Sequence, residues 1–220
     1  MPNWCSNSMI LHGPEDQVRS ILNAVRRVEG ADDKNLKFTK FMPQPTDENG
    51  ELLDGTSWQY DNWGTKWGDC DTDIVYEEYD NGIGSASVGY STAWGPMTGL
   101  VKEISRLHPG VTIDVEYEEP GMNFFGVEQF IGGRTVMERH VEYDFDSGKI
   151  VLPDGWETSF DTDWDDEDQD PSGTLNDAIH AAMERLWSEH SLFVGGALAG
   201  EGKDYVFEAG APTNEGTVQS

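Results

Sequence analysis

Apolar and polar positions along the first part of the chain follow two periods. The segment from Trp4 to His12 ends in Met9, Ile10 and Leu11, and Gly13-Pro14 stops it, which predicts a first strand. Pro14 suits the first turn of a helix, and Glu15 and Asp16 complement its positive end. Val18, Ile21, Leu22, Val25 and Val28 then recur at helical spacing, with Gly30 as the stop. From Ala31 to Asn62 the pattern loosens into a connection with a turn-like Asp47-Glu48-Asn49-Gly50. Compact domains seldom carry structureless loops of that length, so Leu36 to Phe41 is expected to be a short strand or a packed latch.

Trp67 to Asp80 and Ile83 to Thr92 flank Asp80-Asn81-Gly82, a hairpin signal. The second of these strands is rich in small side chains from Ser85 to Gly89, which would let another segment approach closely. Trp94-Gly95-Pro96 opens a helix with Leu100, Val101, Ile104, Leu107 and His108 on one face, ended by Pro109-Gly110. Val111, Ile113, Val115 and Tyr117 alternate with Thr112, Asp114, Glu116 and Glu118, a half-buried strand. The order β-α-β-β-α-β predicts an α+β fold, the ferredoxin-like split βαβ sandwich, with two helices on one face of an antiparallel sheet and the other face wet.

Beyond Gly126 the text changes. Thr135 to Phe145, Asp146-Ser147-Gly148 and Lys149 to Leu152 predict a second hairpin that extends the sheet. Asp161 to Asp170 holds seven carboxylates and reads as an acidic loop. Thr174, with Asp177 three residues on, resembles a capping box for a helix carrying Leu175, Ile179, Met183, Leu186 and Trp187. The expected division is a ferredoxin-like unit over 1–126, a hairpin extension over 127–160, an acidic loop over 161–173, a helix with a Gly/Ala-rich segment over 174–207, and a loose tail over 208–220.

Four stretches carry a family resemblance. Pro-Asn-Trp-Cys-Ser-Asn at 2–7, Asn-Trp-Gly-Thr-Lys-Trp at 62–67, Ser-Thr-Ala-Trp-Gly-Pro at 91–96 and Tyr-Glu-Glu-Pro-Gly-Met-Asn-Phe-Phe-Gly at 117–126 resemble, in this order, the YubB-type ferredoxin-like proteins of phages and conjugative plasmids. The resemblance covers about 126 of the 220 residues. It implies a ferredoxin-like fold and an accessory role in a mobile element, and brings no catalytic residues with it. Phe125 departs from the small residue usual at that point of the family pattern.

Charge narrows the partners. The chain carries 42 acidic and 14 basic residues, a net charge of −28, with the excess deepest beyond residue 126. Such a field repels phosphate backbones, so direct nucleic-acid binding is not expected, whereas a basic or nucleic-acid-handling protein would be attracted. Solubility alone also accounts for surplus acid. No run approaches the roughly 20 apolar residues of a membrane span, and the first residues lack a signal-peptide pattern, so the expected location is the cytoplasm of the host cell. Cys5 and Cys70 are isolated, without a C-x-x-C motif or His neighbours, and are expected as reduced thiols; no metal or cofactor is called for.

Candidate binding residues follow from these patterns. Trp63, Lys66 and Trp67, joined by Trp94, would form an aromatic slot with a cation for a planar or anionic ligand; alternatively the indoles cap the core and Lys66 pairs with an acid. Glu118 and Glu119 could split their pKa values for acid/base work, but neighbours on a strand point to opposite faces. Asp161, Asp163, Asp165, Asp166, Glu167, Asp168 and Asp170 form a candidate acidic partner surface. Its odd spacing resembles a calcium loop, yet Asp166 and Ser172 occupy the places of the required Gly and Glu. Asp69, Asp71 and Asp73 repeat the spacing where they would discourage edge pairing. The leading expectation is a non-catalytic accessory protein that binds a host or element-encoded protein, with an acidic surface in place of DNA phosphates. The alternatives are a ligand-binding or enzymatic domain using Trp63 to Trp67 with Glu118 or Glu119, and a structural or virion-associated protein.

Overall fold

The computed structural model describes residues 3–26, 37–53, 55–162 and 171–189. Strands β1 (Trp4–Pro14), β2 (Lys66–Asp80), β3 (Ile83–Ala93), β4 (Thr112–Glu119), β5 (Phe124–Ile131) and β6 (Arg134–Glu142) form one antiparallel sheet in the order β2-β3-β1-β4-β5-β6. Its first four strands, with helices α1 (Glu15–Leu22) and α3 (Thr98–Leu107), make the expected ferredoxin-like arrangement. Two left-handed residues, Asn81 at φ 49° and Gly82 at φ 82°, close the β2–β3 hairpin, as a two-residue turn matched to strand twist requires.

Alternation decides which side chains meet. Met9 and Leu11 of β1, Ala86 and Val88 of β3, and Ile113 and Val115 of β4 face Val18, Ile21 and Leu22 of α1 and Leu100, Val101 and Ile104 of α3 in one continuous core. Leu107, expected on that buried face, is 43% exposed, because α3 ends there and His108 turns inward instead. His108 Nδ1 donates to Ile104 O at 2.9 Å, and Nε2 meets the Ser20 hydroxyl at 3.1 Å.

The connection between α1 and β2 holds more structure than the sequence pattern indicates. A 3-10 turn at Phe38–Phe41 supplies the packed latch, with Phe38 fully buried and Phe41 edge-on to His108 at 5.3 Å. Helix α2 (Gly55–Trp63) escapes a periodicity reading because Trp63 is its sole buried residue and its polar positions mask the period. Residues 27–36, which include Val28 and Gly30, lie outside the described part.

The opposite face of the sheet is only half wet. Every residue of β5 from Phe124 to Phe130 is buried, because helix α4 (Pro171–Ser188) and the small β7 (Lys149–Val151) and β8 (Glu157–Ser159) sheet cover β4 to β6 from behind. Phe125, Val127, Met137 and Val141 there meet Ile179, Ala182 and Leu186 in a second core. The hairpin that extends the sheet turns at Gly132-Gly133, not at Asp146-Ser147-Gly148, which forms a 3-10 turn leading into β7. Strand β5 runs through residue 126, so the boundary expected there falls inside a strand. Helix α4 begins at Pro171, which places Thr174 inside the first turn, where its hydroxyl accepts from Asp161 N at 2.9 Å. Over β1 to β3 the same face stays open, with Ser6, Ser8, Ser85, Ser87 and Ser91 along it.

Candidate functional site

The strands run so that the start of β1, the start of β2, the end of β3 and the end of β4 lie at one end of the sheet, and the four resembled stretches meet there. Trp4 pairs with Ala93, and Ala93 pairs with Lys66 across β3. Trp94 N donates to Asn3 O at 3.0 Å. Gly64, at φ 89°, brings the end of α2 against Pro96 and the first turn of α3; a side chain there would crowd Pro96 O at 3.0 Å. At β4, the Glu119 carboxylate meets Asn3 and the backbone N–H groups of Gly121 and Met122. Asn7 is buried and donates to Cys5 O at 2.8 Å and Thr92 Oγ1 at 2.9 Å.

Beside this end lies an open cleft of about 840 Å³, lined by Lys37, Lys40, Gln59, Trp63, Trp67 and Cys70 together with Thr39, Pro43, Gln44 and Leu52. Its cations sit at the 3-10 turn. Lys40 belongs to the turn and Lys37 is the extended residue just before it; with Phe38 buried and Phe41 packed against the core, both lysines line the cleft. The back wall is rigid: Trp63 Nε1 donates to Met42 O at 2.8 Å, Gln44 Nε2 to Leu53 O at 2.9 Å, and Gln59 Nε2 to Gln44 Oε1 at 3.0 Å. Lys37 Nζ reaches Trp67 O at 3.5 Å and Cys70 Sγ at 3.9 Å, and Lys40 Nζ reaches Ala24 O at 3.3 Å. Among the described residues no carboxylate lines the cleft or forms a salt bridge with Lys37, Lys40 or Lys66. Asp69 is near but fully buried behind the wall, where burial raises its pKa and Lys37 partly offsets the rise. Burial also raises the Cys70 thiol, against the lowering pull of Lys37.

The expected site residues separate into three groups. Trp63 is a core residue with its indole edge-on to Trp58 at 5.4 Å, while Trp67 and Trp94 are 41% and 40% exposed. Lys66 pairs with an indole instead of an acid, its ammonium 4.6 Å from the Trp67 ring centre. Glu118 and Glu119 stand on opposite faces of β4, and β4 lies three strand spacings from β2, roughly 14 Å. They therefore do not join the Trp63–Trp67 cleft, and they do not converge on each other. Burial raises both their pKa values, with nearby His180 lowering that of Glu118. Of the acidic surface, Asp161 anchors the start of α4, whereas Asp163, Asp165, Asp166, Glu167, Asp168 and Asp170 lie outside the described residues. The sequence reading missed Lys37, Lys40 and Trp4; the period-three Lys-Phe-Thr-Lys-Phe text at 37–41 is the signal that marks the two lysines. Among the described residues no cluster of three or more His, Cys, Asp or Glu is placed to hold a metal, and no helix is long and apolar enough to cross a membrane.

A second polar cluster sits at the far side of the sheet, on the face of α3. Glu128 of β5 is 3% exposed, takes the Thr98 hydroxyl at 3.0 Å, and faces Glu138 of β6; burial first, then that carboxylate, push its pKa up to about 7. Gly126 leaves room for Tyr117 to lie across β5 and meet His140 Nδ1 at 3.2 Å. Behind the sheet, Asp114 is raised to about 6 by burial while Gln129 donates to it at 2.8 Å.

Residues 62–169 match a family described as "Ferredoxin-like domain in Api92-like protein". The match runs from the end of α2 through β8. A solved structure, that of a protein api92 from Yersinia pseudotuberculosis, is similar over 66% of this chain and 99% of that chain, at 10% identity and a TM-score of 0.48. No curated protein matches the chain.

Proposed function

We propose that this chain is a binding protein whose cleft beside α2 and β2 receives the anionic group of a small ligand. One observation carries the reading: in a chain of net charge −28, a cleft of about 840 Å³ presents Lys37 and Lys40, with Lys66 over the Trp67 ring that lines it, and among the described residues no carboxylate lines it. Acids outnumber bases three to one, so an unneutralised group of cations is the least expected local composition. Cations that have no acid partner among the described residues are stabilised by an incoming anion, and the volume is in the range of small-molecule sites. The hydrogen-bonded Trp63, Gln44 and Gln59 wall holds the cleft in shape before binding, which lowers the ordering cost.

The test is thermal unfolding with pyrophosphate or citrate at matched ionic strength. A ligand that binds the folded state raises the melting temperature, by mass action, and the rise should vanish in a Lys37→Ala/Lys40→Ala variant. A flat titration, or a rise that survives both substitutions, contradicts the reading.

The exposed acids of the outer strand β2, namely Asp71, Asp73, Glu77, Glu78 and Asp80, favour a second reading. In it the chain is an accessory protein of a phage or plasmid, the setting implied by the YubB-type stretches, and meets a basic, nucleic-acid-handling protein. Affinity purification should then recover such a partner in a complex that dissociates as salt is raised. A complex indifferent to salt counts against it.

A further inference from the structure

We infer that the ligand of the cleft joins its anion to a planar ring, with the ring on Trp67 and the anion on Lys37 and Lys40. This rests on the anion-binding reading and adds the second half of the ligand. Trp67 has φ 72° and Trp94 φ 73°, left-handed backbone that a bulky residue adopts only at an energetic cost. Neither core gains from it, since Trp67 belongs to neither and remains 41% exposed. What the unusual backbone achieves is the display of an indole at the mouth of the cleft.

The indole is held in place. Trp67 N donates to Gln59 Oε1 at 3.2 Å, Lys66 lies over the ring at 4.6 Å, and Trp4, itself 45% exposed, leans against it at 6.2 Å and 45°. A fixed, half-exposed aromatic surface stacks a planar group with little loss of side-chain freedom. Lys37 connects the two halves, because the ammonium that lines the cleft also bonds the Trp67 carbonyl. The ring and the anion of one ligand therefore need to span only a few bonds.

Charge outside the cleft sets an upper limit on ligand size. An extended polyanion leaving the cleft meets the acids of β2, so the ligand is a small molecule and not a nucleic-acid strand. Lysine ammonium groups are point charges without the paired geometry of a guanidinium, so phosphate and carboxylate suit them alike.

Titration calorimetry separates the parts. Adenosine 5′-monophosphate is compared with inorganic phosphate, indole-3-acetate with acetate, and pyrophosphate reports the cations alone. Each ring-bearing anion is expected to bind roughly tenfold tighter than its ringless counterpart, the usual worth of one stacked ring. If a single pair shows the advantage, the anion source is assigned to that pair. Trp67→Gly should remove the advantage while moving the melting temperature by less than about 3 °C, since glycine accepts the backbone that tryptophan strains. Trp67→Phe should retain most of the advantage, as a check that aromaticity is what counts. Equal affinities with and without the ring, or an advantage that survives Trp67→Gly, overturn this inference while pyrophosphate binding leaves the anion reading standing. Failure of pyrophosphate and of all four other probes overturns both.

Discussion

The two sides of the sheet treat charge in opposite ways. Beside β2 the fold gathers cations around a cleft that, among the described residues, no carboxylate lines, and leaves aromatic rings exposed. At β4 to β6 it buries carboxylates without cations: Glu128, Asp114 and Glu119 are at most 5% exposed, and among the described residues none of them makes a salt bridge. The buried acids answer to neutral donors, Thr98 for Glu128 and Gln129 for Asp114, and shift upward in pKa. Neutralising the group satisfies a buried acid, whereas a lysine at a cleft keeps its charge in water until something arrives. The first arrangement makes stability depend on pH; the second leaves a binding surface.

The comparison breaks most visibly at the covered side. Phe125→Ala, removing a fully buried ring beneath α4, should destabilise by about 3–5 kcal/mol in denaturant unfolding. A loss below ~1 kcal/mol would mean that α4 does not seal this face. Next comes Glu128. Its folded pKa of about 7 lies above the ordinary 4.5, so the folded state holds the proton more tightly. Its stabilising contribution is present below about pH 4.5 and is lost as the pH rises through about 7. Glu128→Gln, which keeps the shape and removes the charge, should therefore stabilise by roughly 2 kcal/mol at about pH 8 and change little at about pH 4. The same gain at both values would show that charge is not the cause. At the cleft the expected effect on folding is smallest. Lys37→Ala/Lys40→Ala should shift stability by no more than about 0.5 kcal/mol, because neither lysine holds a salt bridge among the described residues. A larger loss would make the lysines part of the latch rather than of a site.

Much of the ferredoxin-like half was legible in the sequence, and the reasons are visible in the same contrast. Met9, Leu11, Ile113 and Val115 alternate because one face of their strands packs on helices, and Asn81-Gly82 signals its own turn. Strand β5 could not show alternation, since Phe124, Phe125, Val127 and Phe130 are buried on two sides. Gly132-Gly133 makes the hairpin turn, whereas the αL Gly148 of Asp146-Ser147-Gly148 caps a 3-10 turn, and short Gly-containing text does not by itself tell the two apart. At the site, Trp67, Lys66 and Trp94 were legible as aromatic and cationic text, and they do gather at one end of the sheet. Lys37 and Lys40 were not, because they reach the cleft only through the packing of Phe38, a contact distant in sequence from β2. Glu118 and Glu119 looked like a pair in the text and are separated by the pleat.

Cys70 provides the most direct test of the cleft. The chain has two cysteines, and Cys5 is fully buried with its thiol pushed up to about 12, so a neutral alkylating reagent should modify Cys70 alone in the folded protein. The reaction is best followed near about pH 9, because burial also raises the Cys70 thiol. Pyrophosphate, with sodium chloride matched for ionic strength, is expected to slow Cys70 modification several-fold in the wild type and to leave the rate of Lys37→Ala/Lys40→Ala unchanged. Equal rates with and without pyrophosphate in the wild type, or protection that persists in the double variant, would contradict an anion site beside Lys37 and Lys40.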